Sequence, residues 1–168
     1  RGDREVETVI HYPATIAGED VPIADGVFPA VTFGHGFIMA NPDLYQYIFD
    51  ALAPLGYIVM FPTTESTGPI PAPNHEQFGL DLKFLNAHIK EQGEDPSSFF
   101  YQKVSDKTAI MGHSMGGKAT YIAAENNPDI TCIVSLGAAM SDPPWPFNGN
   151  GYPALEESVP NVVVPTVE

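Results

Sequence analysis

One serine in this sequence stands in a setting that suits covalent catalysis. Residues 112–117 read Gly-His-Ser-Met-Gly-Gly, which matches the G-x-S-x-G pattern of a nucleophilic serine on a sharp strand-to-helix turn. The glycines at 112 and 116 leave room for the strand and the helix that press against such a turn. We therefore take Ser114 as the candidate catalytic nucleophile. The Met115 N–H, at the start of the following helix, is a candidate donor to a developing oxyanion.

A second glycine-rich segment precedes this turn. Residues 34–37 read Gly-His-Gly-Phe and follow an apolar strand pattern over 28–33. Where a serine acts on such a turn, the second oxyanion donor comes from the loop after an earlier strand. We expect the Phe37 N–H to be that donor. The alternative is that both segments are only glycine turns of an α/β sheet.

Apolar strand patterns alternate with helical patterns along the chain. The strand patterns cover 6–12, 28–33, 57–61, 108–111, 131–136 and 162–167. Asn41 and Asn74 are suitable N-caps for two helices, and a third helix is predicted over 114–126. The predicted apolar face of the first is Leu44, Ile48, Ala51 and Leu52, and that of the second is Phe78, Leu82, Leu85 and Ile89, with Gly93 as its end. This order predicts a mainly parallel sheet with helices on both faces.

Composition excludes several classes of protein. A length of 168 residues suits one domain, so we expect residues 1–168 to form a single domain. Twenty-one acidic against seven basic residues give a net charge of −14, which disfavours nucleic-acid binding. The longest apolar runs are too short for a membrane span. The spacing of potential ligands predicts no metal site.

The two glycine motifs resemble those of the α/β-hydrolase superfamily, in the branch that holds chlorophyllases, dienelactone hydrolases and cutinase-like polyester hydrolases. The segments that carry the resemblance are 33–37, 112–120, 135–137, 144–145 and 164–166. The resemblance implies the α/β-hydrolase fold and a carboxylic-ester hydrolase that forms an acyl-enzyme without a cofactor. It also implies small or polymeric ester substrates and a secreted or periplasmic location.

Two aromatic residues are implied as substrate contacts by this resemblance. In the polyester hydrolases a tryptophan after the strand equivalent to 131–136 packs on the substrate, which makes Trp145 a binding candidate. The Phe37 ring would lie against the acyl group. The alternative for Trp145 is a packing role between prolines.

The catalytic triad is the feature in which the sequence departs from this family. The triad runs serine, acid, histidine in chain order, but all five histidines, at 11, 35, 75, 88 and 113, precede Ser114. We expect residues 1–168 to be about the N-terminal two-thirds of the catalytic domain, with a missing C-terminal segment or a second chain supplying the acid and the base. His75 is the one remote histidine that could substitute. Without a base, a serine hydroxyl is a weak nucleophile.

Two other functions fit parts of the sequence. The absence of a histidine after Ser114 is compatible with an inactive homologue that keeps the fold for binding. Gly112, Gly117 and Lys118 satisfy the G-x-x-x-x-G-K pattern of a phosphate-binding loop, but Ala119 stands where the magnesium-binding Ser or Thr belongs.

Overall fold

The computed structural model describes residues 5–65, 74–139 and 159–167, and within them six strands form one sheet in the order β1-β3-β2-β4-β5-β6. The strands are β1 Thr8–His11, β2 Phe28–Gly34, β3 Ile58–Pro62, β4 Val104–His113, β5 Cys132–Leu136 and β6 Thr166–Val167. Strand β1 pairs with β3 in the antiparallel sense, and the other neighbouring strands are parallel. The prediction of a mainly parallel sheet is confirmed.

Three α-helices lie in the described part of the chain. They are α1 Gln46–Leu52, α2 His75–Glu94 and α3 Met115–Ala124. Helix α1 continues from a 3₁₀ turn over Pro42–Tyr45 and passes into another over Ala53–Leu55. A further 3₁₀ turn, Val159–Asn161, precedes β6.

The helices cover both faces of the sheet, as the alternation of side chains along β3 shows. Ile58 and Met60 belong to a buried cluster with residues of α2, whereas Val59 and Phe61 belong to one with residues of α1. Successive strand residues point to opposite faces, so α1 and α2 lie on opposite sides of the sheet. Helix α3 packs on the α2 side, where Met115 and Ala119 join the core.

The predicted apolar face of the first helix was partly wrong. Asn41 does cap this segment, since its Oδ1 accepts the Asp43 N–H at 3.0 Å. The first turn is 3₁₀ rather than α, however, and its tighter winding rotates the residues that follow. The buried residues are therefore Tyr45, Ile48 and Phe49, while Leu44 and Ala51 are exposed.

The second helix follows its prediction more closely. The Asn74 Oδ1 accepts the Gln77 N–H at 2.8 Å, as expected of an N-cap. Its four predicted core residues (Phe78, Leu82, Leu85 and Ile89) are all buried. Gly93 does not end the helix, which runs to Glu94 with Asp95 as C-cap.

Helix α3 is enclosed between the sheet and α2. All ten of its residues are buried. The two helices approach most closely at Gly79 of α2, where a β-carbon would lie 2.6 Å from the Cβ of Ile122 and 3.2 Å from the Ala119 carbonyl oxygen. The absence of a side chain at Gly79 therefore sets how near α2 comes to α3, the helix that follows Ser114.

We expect Gly79→Ala to lower the free energy of unfolding by about 1–2 kcal/mol, since crowding against Ile122 outweighs the gain of about 1 kcal/mol in helix propensity. In an Ile122→Gly background, which removes both the Cβ and the Cγ2 of Ile122 that lie 2.6 Å from a β-carbon at position 79, the same substitution should cost less. Urea denaturation of the four proteins of this double-mutant cycle measures the coupling. Equal effects of Gly79→Ala in both backgrounds would show that this contact does not limit the approach of the helices.

Candidate active site

Ser114 lies between the last residue of β4 and the first residue of α3, in a backbone conformation that non-glycine residues rarely adopt. Its φ is 54° and its ψ is −110°, a combination that costs free energy unless the surroundings enforce it. The Ser114 N–H donates to the Leu136 carbonyl at 2.9 Å, and the Ser114 carbonyl accepts the N–H groups of Lys118 at 3.0 Å and Ala139 at 2.9 Å. Hydrogen bonds from β5, from α3 and from the segment after β5 thus hold the strained residue in place.

The glycines beside Ser114 are required by close backbone contacts. A β-carbon on Gly112 would lie 2.3 Å from the carbonyl carbon and oxygen of Gly116. One on Gly116 would lie 2.0 Å from the Gly34 carbonyl oxygen. The end of β4, the start of α3 and the end of β2 therefore touch through their backbones, as the G-x-S-x-G pattern led us to expect of its two glycines.

The Gly34–Phe37 segment leaves β2 directly beside this turn. Gly34 is the register partner of Gly112 in the parallel β2–β4 pair, and the His35 carbonyl accepts the Gly116 N–H at 2.9 Å. Phe37 is partly buried and packs against the core cluster that contains Met115. The structure thus brings the segments that carry Ser114, Met115 and Phe37 together at the carboxyl ends of β2 and β4.

Phe37 is the second residue of a strained turn. The Met39 N–H donates to the Gly36 carbonyl at 3.0 Å, which makes residues 36–39 a β-turn. Ile38 is its third residue and has a φ of 53°, where such turns normally carry Gly or Asn. Its side chain is 62% exposed. A β-branched residue in this conformation is strained. Because the Ile38 side chain is largely exposed, its burial offsets little of the free-energy cost of this strain.

Tyr45 connects the two motifs, which the sequence did not indicate. Its hydroxyl accepts the Gly36 N–H at 2.8 Å and lies 2.9 Å from the His113 Nδ1. Burial raises the pKa of Tyr45, so the hydroxyl keeps the proton that it can donate to His113. The only sequence signal was an aromatic residue shortly after the Gly34–Phe37 segment.

His35 is fully buried and lies between two backbone carbonyl oxygens. Its Nδ1 is 2.7 Å from the Gly36 oxygen, and its Nε2 is 2.8 Å from the Thr64 oxygen. Burial lowers the pKa of His35, while the two carbonyls and the charge of Glu65 act in the opposite direction. The Thr64 hydroxyl in turn donates to the buried Asp81 at 3.0 Å.

His75 does not have the properties of a replacement general base. It is the first residue of α2 and is buried. Burial, and then the charge of Lys118, lower the pKa of His75 to about 4. A general base works best with a pKa near the operating pH, so this imidazole would be a weak one.

The phosphate-binding alternative was wrong. Gly116, Gly117 and Lys118 lie inside α3 rather than in a loop before a helix, so their N–H groups do not form a phosphate-binding loop. The Lys118 side chain is completely buried and is not available to a nucleotide.

A groove of about 870 Å³ lies on another part of the surface. It is formed by the segment from Ile10 to Asp25 and by residues of α1 and the turn that follows it. Neither Ser114 nor Phe37 lines it. This groove is therefore separate from the segments that carry Ser114 and Phe37. Trp145, the other candidate for substrate binding, lies outside the described residues and stays a prediction.

Two kinds of feature are absent from residues 5–65, 74–139 and 159–167. No cluster of three or more His, Cys, Asp or Glu side chains there could hold a metal ion. None of the helices in these ranges is both long enough and apolar enough to cross a membrane.

The architecture corresponds to that of a solved structure assigned as a dienelactone hydrolase from Klebsiella pneumoniae subsp. pneumoniae. The two superpose with a TM-score of 0.64 at 16% identity, over 95% of this chain and 71% of the other. The fold is therefore the α/β-hydrolase fold, as predicted.

The sequence comparisons identify the family within this fold. The PETase family model, described as PET hydrolase-like, matches residues 7–166, and the chain belongs to that family. It is 27% identical over 155 residues to a bis(hydroxyethyl) terephthalate hydrolase of Streptomyces coelicolor. It is also 27% identical over 130 residues to cutinase 2 of Thermobifida cellulosilytica. The matches span 92% and 77% of this chain but only 42% and 44% of the two relatives.

We expect Gly116→Ala to be at least about 2 kcal/mol more destabilising than Gly117→Ala. Both substitutions raise helix propensity equally, but a β-carbon at 116 meets the Gly34 backbone at 2.0 Å, whereas one at 117 meets its nearest atom at 3.1 Å. Urea denaturation measures the difference. Similar losses in the two variants would contradict the close contact between β2 and α3.

We expect Ile38→Asn to raise the free energy of unfolding by about 1 kcal/mol, because Asn tolerates a positive φ better than a β-branched residue does. Ile16→Asn is the matched control, since Ile16 is 61% exposed and is not among the residues with positive φ. Thermal or urea denaturation distinguishes the two. A gain of the same size at Ile16 would assign the effect to loss of an exposed apolar side chain.

Proposed function

We propose that the protein is a carboxylic-ester hydrolase in which Ser114 is the nucleophile. The observation that carries the proposal is the position of this serine. Its backbone is held at a φ of 54° between β4 and α3. The neighbouring Gly34–Phe37 segment is hydrogen-bonded to α3, because the His35 carbonyl accepts the Gly116 N–H. The names of the relatives, a terephthalate ester hydrolase and cutinases, support ester hydrolysis.

The proposed reaction proceeds through an acyl-enzyme. The Ser114 Oγ attacks the ester carbonyl while a general base takes its proton, and the N–H groups of Met115 and Phe37 stabilise the resulting oxyanion. Collapse of this intermediate breaks the bond to the alcohol, which leaves with the proton from the base. Water then attacks the acyl group with help from the same base, which releases the acid and restores the serine.

The general base and its carboxylate partner are proposed to come from a C-terminal segment or a second chain. No histidine follows Ser114 in the 168 residues. His35 and His113 are engaged with the backbone and with Tyr45, and the pKa of His75 is too low. The two relatives extend well beyond the matched region, which is 42% and 44% of their lengths.

Neutral esters are the proposed substrates. A net charge of −14 would repel anionic ones. Because one relative is named for bis(hydroxyethyl) terephthalate, that compound is the diagnostic aromatic diester, and p-nitrophenyl butyrate is the small aliphatic reference. The proposed contacts are the Phe37 ring and Trp145.

Intact-mass spectrometry before and after reaction with a fluorophosphonate tests the proposal. We expect one phosphonyl adduct on Ser114 and none in Ser114→Ala. We also expect the labelled species either to exceed the 18.1 kDa of these residues or to purify with a second chain. The Ser114→Ala protein should retain its fold by circular dichroism and should hydrolyse neither ester.

A single 18.1 kDa chain that takes no label and hydrolyses neither ester would support the inactive-homologue alternative, in which the fold serves binding.

A further inference from the structure

The peptide between Gly36 and Phe37 carries the second proposed oxyanion donor. The trans peptide is planar, so the Gly36 carbonyl and the Phe37 N–H point in opposite directions. Whatever holds the Gly36 oxygen therefore also sets the direction of the Phe37 N–H. An oxyanion donor is most effective when its direction is set before the charge develops, because no reorganisation is then needed during the reaction.

Two nitrogen atoms face the Gly36 oxygen. The Met39 N–H donates to it at 3.0 Å and closes the turn over residues 36–39. The His35 Nδ1 lies closer, at 2.7 Å. A carbonyl oxygen can only accept, so this short contact is a hydrogen bond only if Nδ1 carries the proton.

The preceding peptide, between His35 and Gly36, is held at both of its polar groups. Its oxygen accepts the Gly116 N–H at 2.9 Å, and its N–H donates to the Tyr45 hydroxyl at 2.8 Å. Both peptide planes that meet at Gly36 are thus constrained. The first is constrained by α3 and Tyr45, and the second by the His35 ring and Met39.

The His35 ring is itself held in one orientation. The ring centroids of Phe78 and Phe61 lie 4.7 Å and 5.7 Å from its own, and its Nε2 lies 2.8 Å from the Thr64 oxygen. The ring is completely buried. A neutral imidazole has one N–H, so only one of the two carbonyl contacts can be a hydrogen bond unless the ring is protonated.

We propose that His35 is a positioning residue for ester hydrolysis: its Nδ1–H holds the Gly36 carbonyl and so directs the Phe37 N–H as an oxyanion donor. This inference rests on the proposed function, because it assigns His35 a role in the reaction of Ser114. In this tautomer the Nε2 carries no proton, so the ring is held by its packing against Phe61 and Phe78 and not by a hydrogen bond to Thr64.

Two substitutions separate the two ring nitrogens. The amide nitrogen of Asn stands near the place of Nδ1 and can donate to the Gly36 oxygen. That of Gln stands near the place of Nε2 and can reach the Thr64 oxygen only. Both His35→Asn and His35→Gln lose the same ring and its packing against Phe61 and Phe78, so each is the matched control for the other.

The steady-state constants of both variants with p-nitrophenyl butyrate test the proposal. Removing one oxyanion donor typically lowers kcat by 10²–10³-fold. In His35→Gln only the longer contact with the Met39 N–H is left to restrain the Gly36 oxygen. We therefore expect this variant to lower kcat at least about tenfold with KM within about twofold, as for an interaction made only in the transition state. His35→Asn should keep kcat within about threefold of the unsubstituted protein. Equal losses in the two variants, or a larger loss in His35→Asn, would overturn the proposal.

Crystal structures of the two variants provide a readout that does not depend on activity. We expect the Gly36–Phe37 peptide to be rotated in His35→Gln and unchanged in His35→Asn. An unchanged peptide in His35→Gln would overturn the proposal. If the unsubstituted protein hydrolyses no ester and Ser114 takes no fluorophosphonate, the proposed function fails, and the structures alone decide whether His35 orients this peptide.

Discussion

The contact between the Gly116 and Gly34 backbones is the constraint on which the rest of the site depends. It joins the helix that follows Ser114 to the end of a neighbouring strand, and the Gly116 N–H to His35 carbonyl hydrogen bond accompanies it. No side chain lies between the two backbones. The distance between Ser114 and the Gly34–Phe37 segment is therefore set by main-chain geometry, which varies less than side-chain packing does.

The sheet and the helices maintain this contact. The parallel pairing of β2 with β4 places Gly34 beside Gly112, and the close approach at Gly79 keeps α2 against α3.

Buried polar groups lie beside the contact between Gly34 and Gly116. His35 and Asp81 are buried, and burial of such groups costs free energy unless they are hydrogen-bonded. The hydrogen bond from His35 to the Gly36 carbonyl and that from the Thr64 hydroxyl to Asp81 meet this requirement, and the second joins the residues after β3 to α2.

The sequence alone predicted the sheet, the second helix and the place of Ser114, because each rests on local signals. The apolar series of α2 and the Asn74 cap are patterns within one element, and the glycines at 112 and 116 stand beside the turn that requires them. The first helix was predicted less well, since nothing in residues 42–45 distinguishes a 3₁₀ turn from an α-helical one. The roles of Tyr45 and Thr64 depend on contacts between residues far apart in sequence. Tyr45 meets His113, 68 residues later, and periodicity within a single element carries no information about such a pair.

The burial of α3 has a consequence for how the protein responds to heat. All ten residues of this helix are enclosed, so its amide hydrogens belong to the slowest-exchanging part of the molecule, which opens only when the whole domain unfolds. Ser114 is attached to that helix and to β4, whereas Ile38 and Leu44, on the segment after Phe37, are exposed. Ser114 thus belongs to the last part of the chain to melt, whereas the exposed residues after Phe37 belong to a part that can open by local fluctuation. Opening on warming would begin in the exposed residues after Phe37, while Ser114 stays in its strained conformation.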